Sequence, residues 1–169
     1  MASPSGWWRD TAHRMLLHRS DSSAVPVLLE ALHAGDLSPA AKIQVLWCVN
    51  HLLPDDKDPG SKDFKATALA ALMSGDADVR RHAVQISEHW LRQGDVSVLS
   101  ALKPLVNDAD SGVVMQLAYS LGEADDPAAA EMLSQILAQH GDKELITAAT
   151  FSSLNEANIS TVLAQVVNG

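Results

Sequence analysis

The sequence predicts an all-α fold, a right-handed α-solenoid (α-α superhelix) of about five stacked helix pairs. Three observations carry this expectation. Apolar residues recur at helical spacing nearly from end to end, with no strand alternation of useful length. Short breaks divide the helical stretches, and each holds Gly, Pro, Asp, Asn or Ser, the residues that stop and cap helices. Alternate helices are alike, and they recur at the length of one helix pair.

The elements follow in order from those breaks. Helix 7–19 ends at the polar run 19–22, and helix 23–34 at 35–39, which opens on Gly35 and closes on Pro39. Helix 39–53 runs into the longest loop, 54–61, Pro-Asp-Asp-Lys-Asp-Pro-Gly-Ser. Helices 62–73, 77–92, 95–106, 110–121, 127–139, 143–154 and 158–167 complete the set, separated by 74–77, 93–95, 107–110, 122–126, 140–142 and 155–158. The repeat continues across the 54–61 loop, so residues 1–169 are expected to form a single repeat domain, cut from a larger multidomain protein.

The repeat register starts at Trp8, Ala41, Val79, Val113 and Leu145, giving spacings of 33, 38, 34 and 32, the long one absorbing the 54–61 loop. One helix pair cannot bury its apolar face alone, so neighbours must stack. The five starting residues and those four positions on, Ala12, Val45, Ala83, Leu117 and Ala149, are the expected core columns. Asp76 and Asp78, Asp108 and Asp110, and Asp142 precede helices and are expected to cap free N–H groups.

Composition narrows function. Of 169 residues, 47 % are apolar and 20 % charged, which argues against disorder, and only 4 % are aromatic, which argues against a β-sandwich. A formal charge of −9 repels phosphate backbones, so nucleic acid is not an expected partner. The lone Cys48 can form neither an internal disulfide nor a zinc site, and its apolar neighbours suggest a buried, inert residue. No apolar run is long enough to span a bilayer, and the first six residues do not read as a signal peptide. Phosphate loops, Gly-x-Ser-x-Gly and His-Glu-x-x-His are absent, so no catalytic, cofactor-binding or metal-ligating residue is assigned and no enzyme activity is expected.

Val79-Arg80-Arg81-His82-Ala83-Val84, following Gly75-Asp76-Ala77-Asp78, resembles the short bacterial HEAT-like repeat of phycobilisome-lyase type. Gly6-Trp7-Trp8-Arg9-Asp10-Thr11-Ala12-His13-Arg14-Met15-Leu16 is similar to the opening of the HEAT region in planctomycete-type membrane-bound dehydrogenase-like proteins with a c-type haem domain. Ala24-Val25-Pro26, Val45-Leu46-Trp47 and the run from Gln116 to Gly122 extend that likeness. It implies a non-catalytic scaffold or docking module of an exported parent, in the periplasm or cell envelope. The parent's propeller and its Cys-x-x-Cys-His haem motif have no counterpart in this sequence, so those activities attach to no residue here. The alternative is a stand-alone accessory protein that binds a ligand or assists a partner enzyme, as bilin-lyase-type HEAT proteins do. A HEAT-like DNA glycosylase would want a basic concave face, which the charge opposes.

The solvent-facing stripe of the aligned helices gives a candidate partner surface: Arg14, Trp47, His51, His82, Gln85, His89, Gln116, Tyr119 and Phe151. Trp47, Tyr119 and Phe151 share one column, and either contact a partner or pack between helices. His18, His51 and His89 share another, too widely spread across repeats to hold one ion. Arg9, Lys42 and Arg80 form a basic column, expected to pair with loop aspartates. The first helix, with Trp7 and Trp8, is expected to pack on a flanking domain or on a second copy.

Overall fold

The capping signals place the helices where they were expected. A computed structural model describes residue 3 and residues 5–53, 57–58 and 60–168, with side chains through 164. Positions 54–56 and 59 of the predicted 54–61 loop, and positions 1, 2 and 4 of the N-terminal segment, lie outside the described residues. The helices are α1 (Gly6–Arg19), α2 (Val25–Ala34), α3 (Pro39–Leu52), α4 (Ser61–Ala71), α5 (Ala77–Ile86), α6 (Glu88–Leu91), α7 (Val96–Leu102), α8 (Ser111–Leu121), α9 (Pro127–His140), α10 (Glu144–Ser152) and α11 (Ile159–Asn168). The described residues contain no strand.

Side-chain oxygens start five of these helices, α3, α5, α7, α8 and α9. Ser38 accepts from the Ala41 amide at 3.4 Å ahead of Pro39, and Asp126 from the Ala128 amide at 2.8 Å ahead of Pro127. Asp110 holds the Gly112 and Val113 amides at 2.9 and 3.2 Å, Asp108 the Asp110 amide at 2.9 Å, and Asp76 the Val79 amide at 3.1 Å. Asp78 instead pairs with Arg81 within the first turn of α5, at 2.8 Å. Asp142 does not cap. Helix α10 begins at Glu144, Lys143 takes the cap position without a side-chain bond, and Asp142 is left one residue too early and exposed.

Two predicted helices are subdivided. The 77–92 helix is interrupted at Ser87, which keeps helical angles (φ −66°, ψ −15°), so the ladder loosens without turning the chain. A serine inside a helix competes for backbone hydrogen bonds. The 95–106 helix tightens into a 3₁₀ turn over Lys103–Asn107, because Pro104 has no N–H to give the carbonyl four residues back.

The chain forms two compact units, Met1–Ile86 and Ser87–Gly169. In the first, α1, α3 and α5 pack side by side as one layer, and α2 and α4 form the other. The second repeats the plan, with α6, α8 and α10 in one layer and the Lys103–Asn107 turn, α9 and α11 in the other. Side chains bridge adjacent repeats at the predicted period. Gln44 donates to Asp10, Trp47 to His82, and Cys48 meets His13, each 34 or 35 residues apart. In the second unit His140 meets the Val106 carbonyl, 34 apart, and Asn155 donates to the Gly122 carbonyl, 33 apart.

Most of the core-column positions are buried as expected. Ala41, Val45, Val79, Ala83, Val113, Leu117 and Ala149 are all buried. Trp8 and Leu145 are not, at 60 % and 71 % exposed. Within its layer α1 packs on α3 and α10 packs on α8, so the outward-leaning first-turn residue of each has no cover, and Ile146 takes the buried place in α10. Ala12 is only partly covered for the same reason.

Candidate interaction surface

In the first unit the stripe begins as a set of bridges and ends in solvent. Trp47 on α3 is half-buried, its indole N–H donating to His82 Nδ1 on α5 at 3.1 Å, with the rings edge-on at 6.1 Å. Trp47 is thus held between helices, while Arg14, His18, His51 and Gln85 are exposed. One turn earlier, Gln44 ties α3 to α1 through Asp10.

In the second unit the aromatic residues of the stripe, Tyr119 and Phe151, face outward, while Trp90 is buried. Tyr119 on α8 is 46 % exposed and Phe151, at the matching position of the adjacent α10, is 49 % exposed. Below them the surface is ordered by polar bonds. The Ser153 hydroxyl donates to the Tyr119 carbonyl at 3.4 Å, and Gln116 is half-buried, its amide within 3.2 Å of the Ser120 hydroxyl. The buried Ser120 donates in turn to Glu88 Oε1 at 2.8 Å. Arg92 closes the cluster, 3.3 Å from Glu88 and 2.7 Å from Glu123, and these carboxylates hold its guanidinium firmly protonated. His89 is half-buried and contacts Gln93 at 3.1 Å. The Glu88 network was not visible in the sequence, because its bonds to Gln116 and Ser120 join residues 28 and 32 apart.

The family model for HEAT repeats matches residues 65–155, more than half of the chain. The chain belongs to the HEAT-repeat family. HEAT repeats are generally protein-interaction scaffolds and are typically non-catalytic. No curated protein and no solved structure matches the chain.

Several polar groups in this HEAT-repeat chain serve the repeats themselves. Arg9 and Arg80, at equivalent positions, each donate to a serine carbonyl six residues back, Ser3 and Ser74, both at 2.8 Å. That contact ties each helix to its preceding loop. Cys48 is fully buried, 3.3 Å from His13 Nδ1, and burial pushes its thiol up to about 11. It is protonated at neutral pH and a poor nucleophile. Among the described residues no group of three His, Cys, Asp or Glu is placed to hold a metal ion, and no helix is long and apolar enough to cross a membrane.

The Trp47–His82 bond makes the first unit sensitive to acid. His82 can accept the indole proton only as neutral imidazole, and burial, reinforced by Arg81, lowers its affinity for a proton. The folded pKa therefore lies below the unfolded one. Its stabilising effect is complete above the ordinary histidine value of 6.5 and is lost as pH falls through the folded pKa. The urea midpoint of the wild type should fall between about pH 7.5 and 5.5, and fall less in His82→Asn. Equal falls would show that the bond carries no such linkage.

Proposed function

We propose that this HEAT-repeat chain is a non-catalytic docking or scaffold module that presents the α8–α10 surface to a protein. The observation that carries the reading is the exposed pair Tyr119 and Phe151, at matching positions on two packed helices. Large aromatic side chains supply most of the affinity at protein interfaces, with little conformational entropy to lose. Both rings stand on fixed helices, so the surface needs no rearrangement to bind. Arg14, His51, Gln85 and the edge formed by Trp47 and His82 belong to the same proposal for the first unit, with Trp47 acting mainly as a support.

An exported dehydrogenase-like parent, in the periplasm or cell envelope, is part of this reading, and the sequence likeness around Gly6-Trp7-Trp8 supports it. Trp7 and Trp8, 62 % and 60 % exposed and edge-on to each other at 4.6 Å, offer a further contact for a flanking domain or a second copy.

The test is a pull-down with the whole chain as bait, against the parent's flanking domains and a cell extract. Tyr119→Ala/Phe151→Ala is the informative variant, since both rings are exposed and their loss leaves the core intact. Capture should drop about ten-fold or more in the folded variant. Capture unchanged in that variant would remove these rings from the interface.

The alternative, a ligand-binding accessory protein, is favoured by one feature of the first unit. A cavity of about 310 Å³ opens between α2, α3 and α4, lined by Leu32, His33, Lys42, Leu46, Asp63 and Thr67 among others. That volume is at the lower end for small-molecule sites. His33 Nε2 lies 3.0 Å from the Thr67 hydroxyl and 3.5 Å from Asp63, giving the apolar walls a polar rim. Small-molecule binding abolished by Leu46→Trp would support this reading over docking.

A further inference from the structure

Resting on the docking reading above, we infer that the α8–α10 face takes a basic amphipathic protein segment, with cations at its ends and apolar side chains between them. The charge of the chain is very unevenly divided. Residues 87–169 hold eleven of the 21 Asp and Glu but three of the 12 Lys and Arg, a formal −8 of the chain's −9.

The arrangement on this face follows the same division. Helix α8 has no charged residue, and α10 has only Glu144, in its first turn. Tyr119 and Phe151 therefore stand on an uncharged strip. Exposed carboxylates flank that strip at both ends: Asp142 and Glu144 beside the start of α10, Glu123 and Asp125 after α8, and Glu156 after α10. Little on the unit offsets them. Arg92 pairs with Glu88 and Glu123 and so offsets Glu123 alone among these carboxylates, and Lys103 stands in the other layer. Lys143 alone lies at the edge of the strip.

An uncharged strip carrying two exposed rings between two acidic ends selects its occupant by charge. Carboxylates with weak counter-charge steer cationic partners and repel phosphate-bearing or acidic ones. The rings supply contact area that charge alone does not. A neutral apolar segment would use the rings and leave the acidic ends idle. A nucleic acid or an anionic lipid surface would meet the wrong sign at both ends.

The test uses the full chain and two labelled synthetic peptides that share their Leu and Phe positions. One carries Lys and Arg at the remaining positions and the other carries Glu. Fluorescence anisotropy should show the basic peptide binding and the acidic one not. Affinity for the basic peptide should fall about ten-fold or more between 50 and 300 mM salt. It should fall about ten-fold in Tyr119→Ala/Phe151→Ala, and several-fold in Glu144→Gln/Glu156→Gln.

Equal binding of both peptides, lost in the aromatic variant, would overturn the charge inference and leave the docking reading standing. Binding of the basic peptide undiminished in the aromatic variant would overturn both, because attraction to the acidic unit would then account for it. Failure of the basic peptide to bind would overturn the inference. So would a dimer, seen by sedimentation of the chain alone, that dissociates in the aromatic variant, since the face would then belong to a second copy.

Discussion

Leu117→Ala should lower the stability of the chain by about 2–5 kcal/mol, read as a fall in the urea midpoint at unchanged m-value. Leu117 is fully buried in the middle of α8, and its truncation leaves a cavity between two layers of helices that stack on both sides. Leu145→Ala is the matched control. The same deletion at a side chain 71 % exposed should cost no more than about 0.5 kcal/mol. A comparable loss at both positions would contradict the register of α10 on α8.

Gly122→Ala has an expected sign that separates two effects. Gly122 has ordinary helical angles (φ −64°, ψ −17°), so helix propensity alone would make alanine stabilising by about 0.5–1 kcal/mol. A methyl group there would sit 2.9 Å from Ser153 Cβ, 3.1 Å from Ser153 Cα and 3.2 Å from its carbonyl oxygen. Two of those atoms are backbone, held by the hydrogen bonds that end α10, and cannot step aside cheaply. The clash should win, with a net loss of about 1–3 kcal/mol. Gly75→Ala, where nothing lies within 4 Å of the added methyl, should be neutral or slightly stabilising. A stabilised Gly122→Ala protein would mean that α8 and α10 approach less closely than described.

These two positions also mark how far the sequence could be read. The register that placed Leu117 in the core came from comparing helices at a common spacing, and burial of Val45, Ala83 and Ala149 follows the same rule. It failed at Trp8 and Leu145 because a column says which side of a helix leans toward a neighbour, and says nothing of whether a neighbour is there. Pro104 was a visible signal for the 3₁₀ turn after Leu102. The Ser87 interruption had a weaker one, a single serine in an otherwise regular pattern. Gly122 looked like a helix stop, and only the approach of Ser153 gives it a packing role.

The candidate surface was legible to a similar depth. The period brought Trp47, Tyr119 and Phe151 into one column, and three-dimensional packing then sorted them. Trp47 has His82 to accept its N–H and turns inward, while Tyr119 and Phe151 stay at the surface. The Glu88–Ser120 and Arg92–Glu123 contacts join residues 32 and 31 apart in the sequence, beyond the reach of any local motif.

Site-specific photo-crosslinking addresses the central claim most directly. A photoreactive phenylalanine analogue placed at Phe151, on the proposed face, would be compared with one at Gln135, exposed on α9 in the other layer. With the whole chain incubated in cell extract, a discrete crosslinked protein at position 151 and none at 135 is the predicted result. Equal labelling at both positions, or a partner captured only from 135, would contradict a docking surface on α8 and α10.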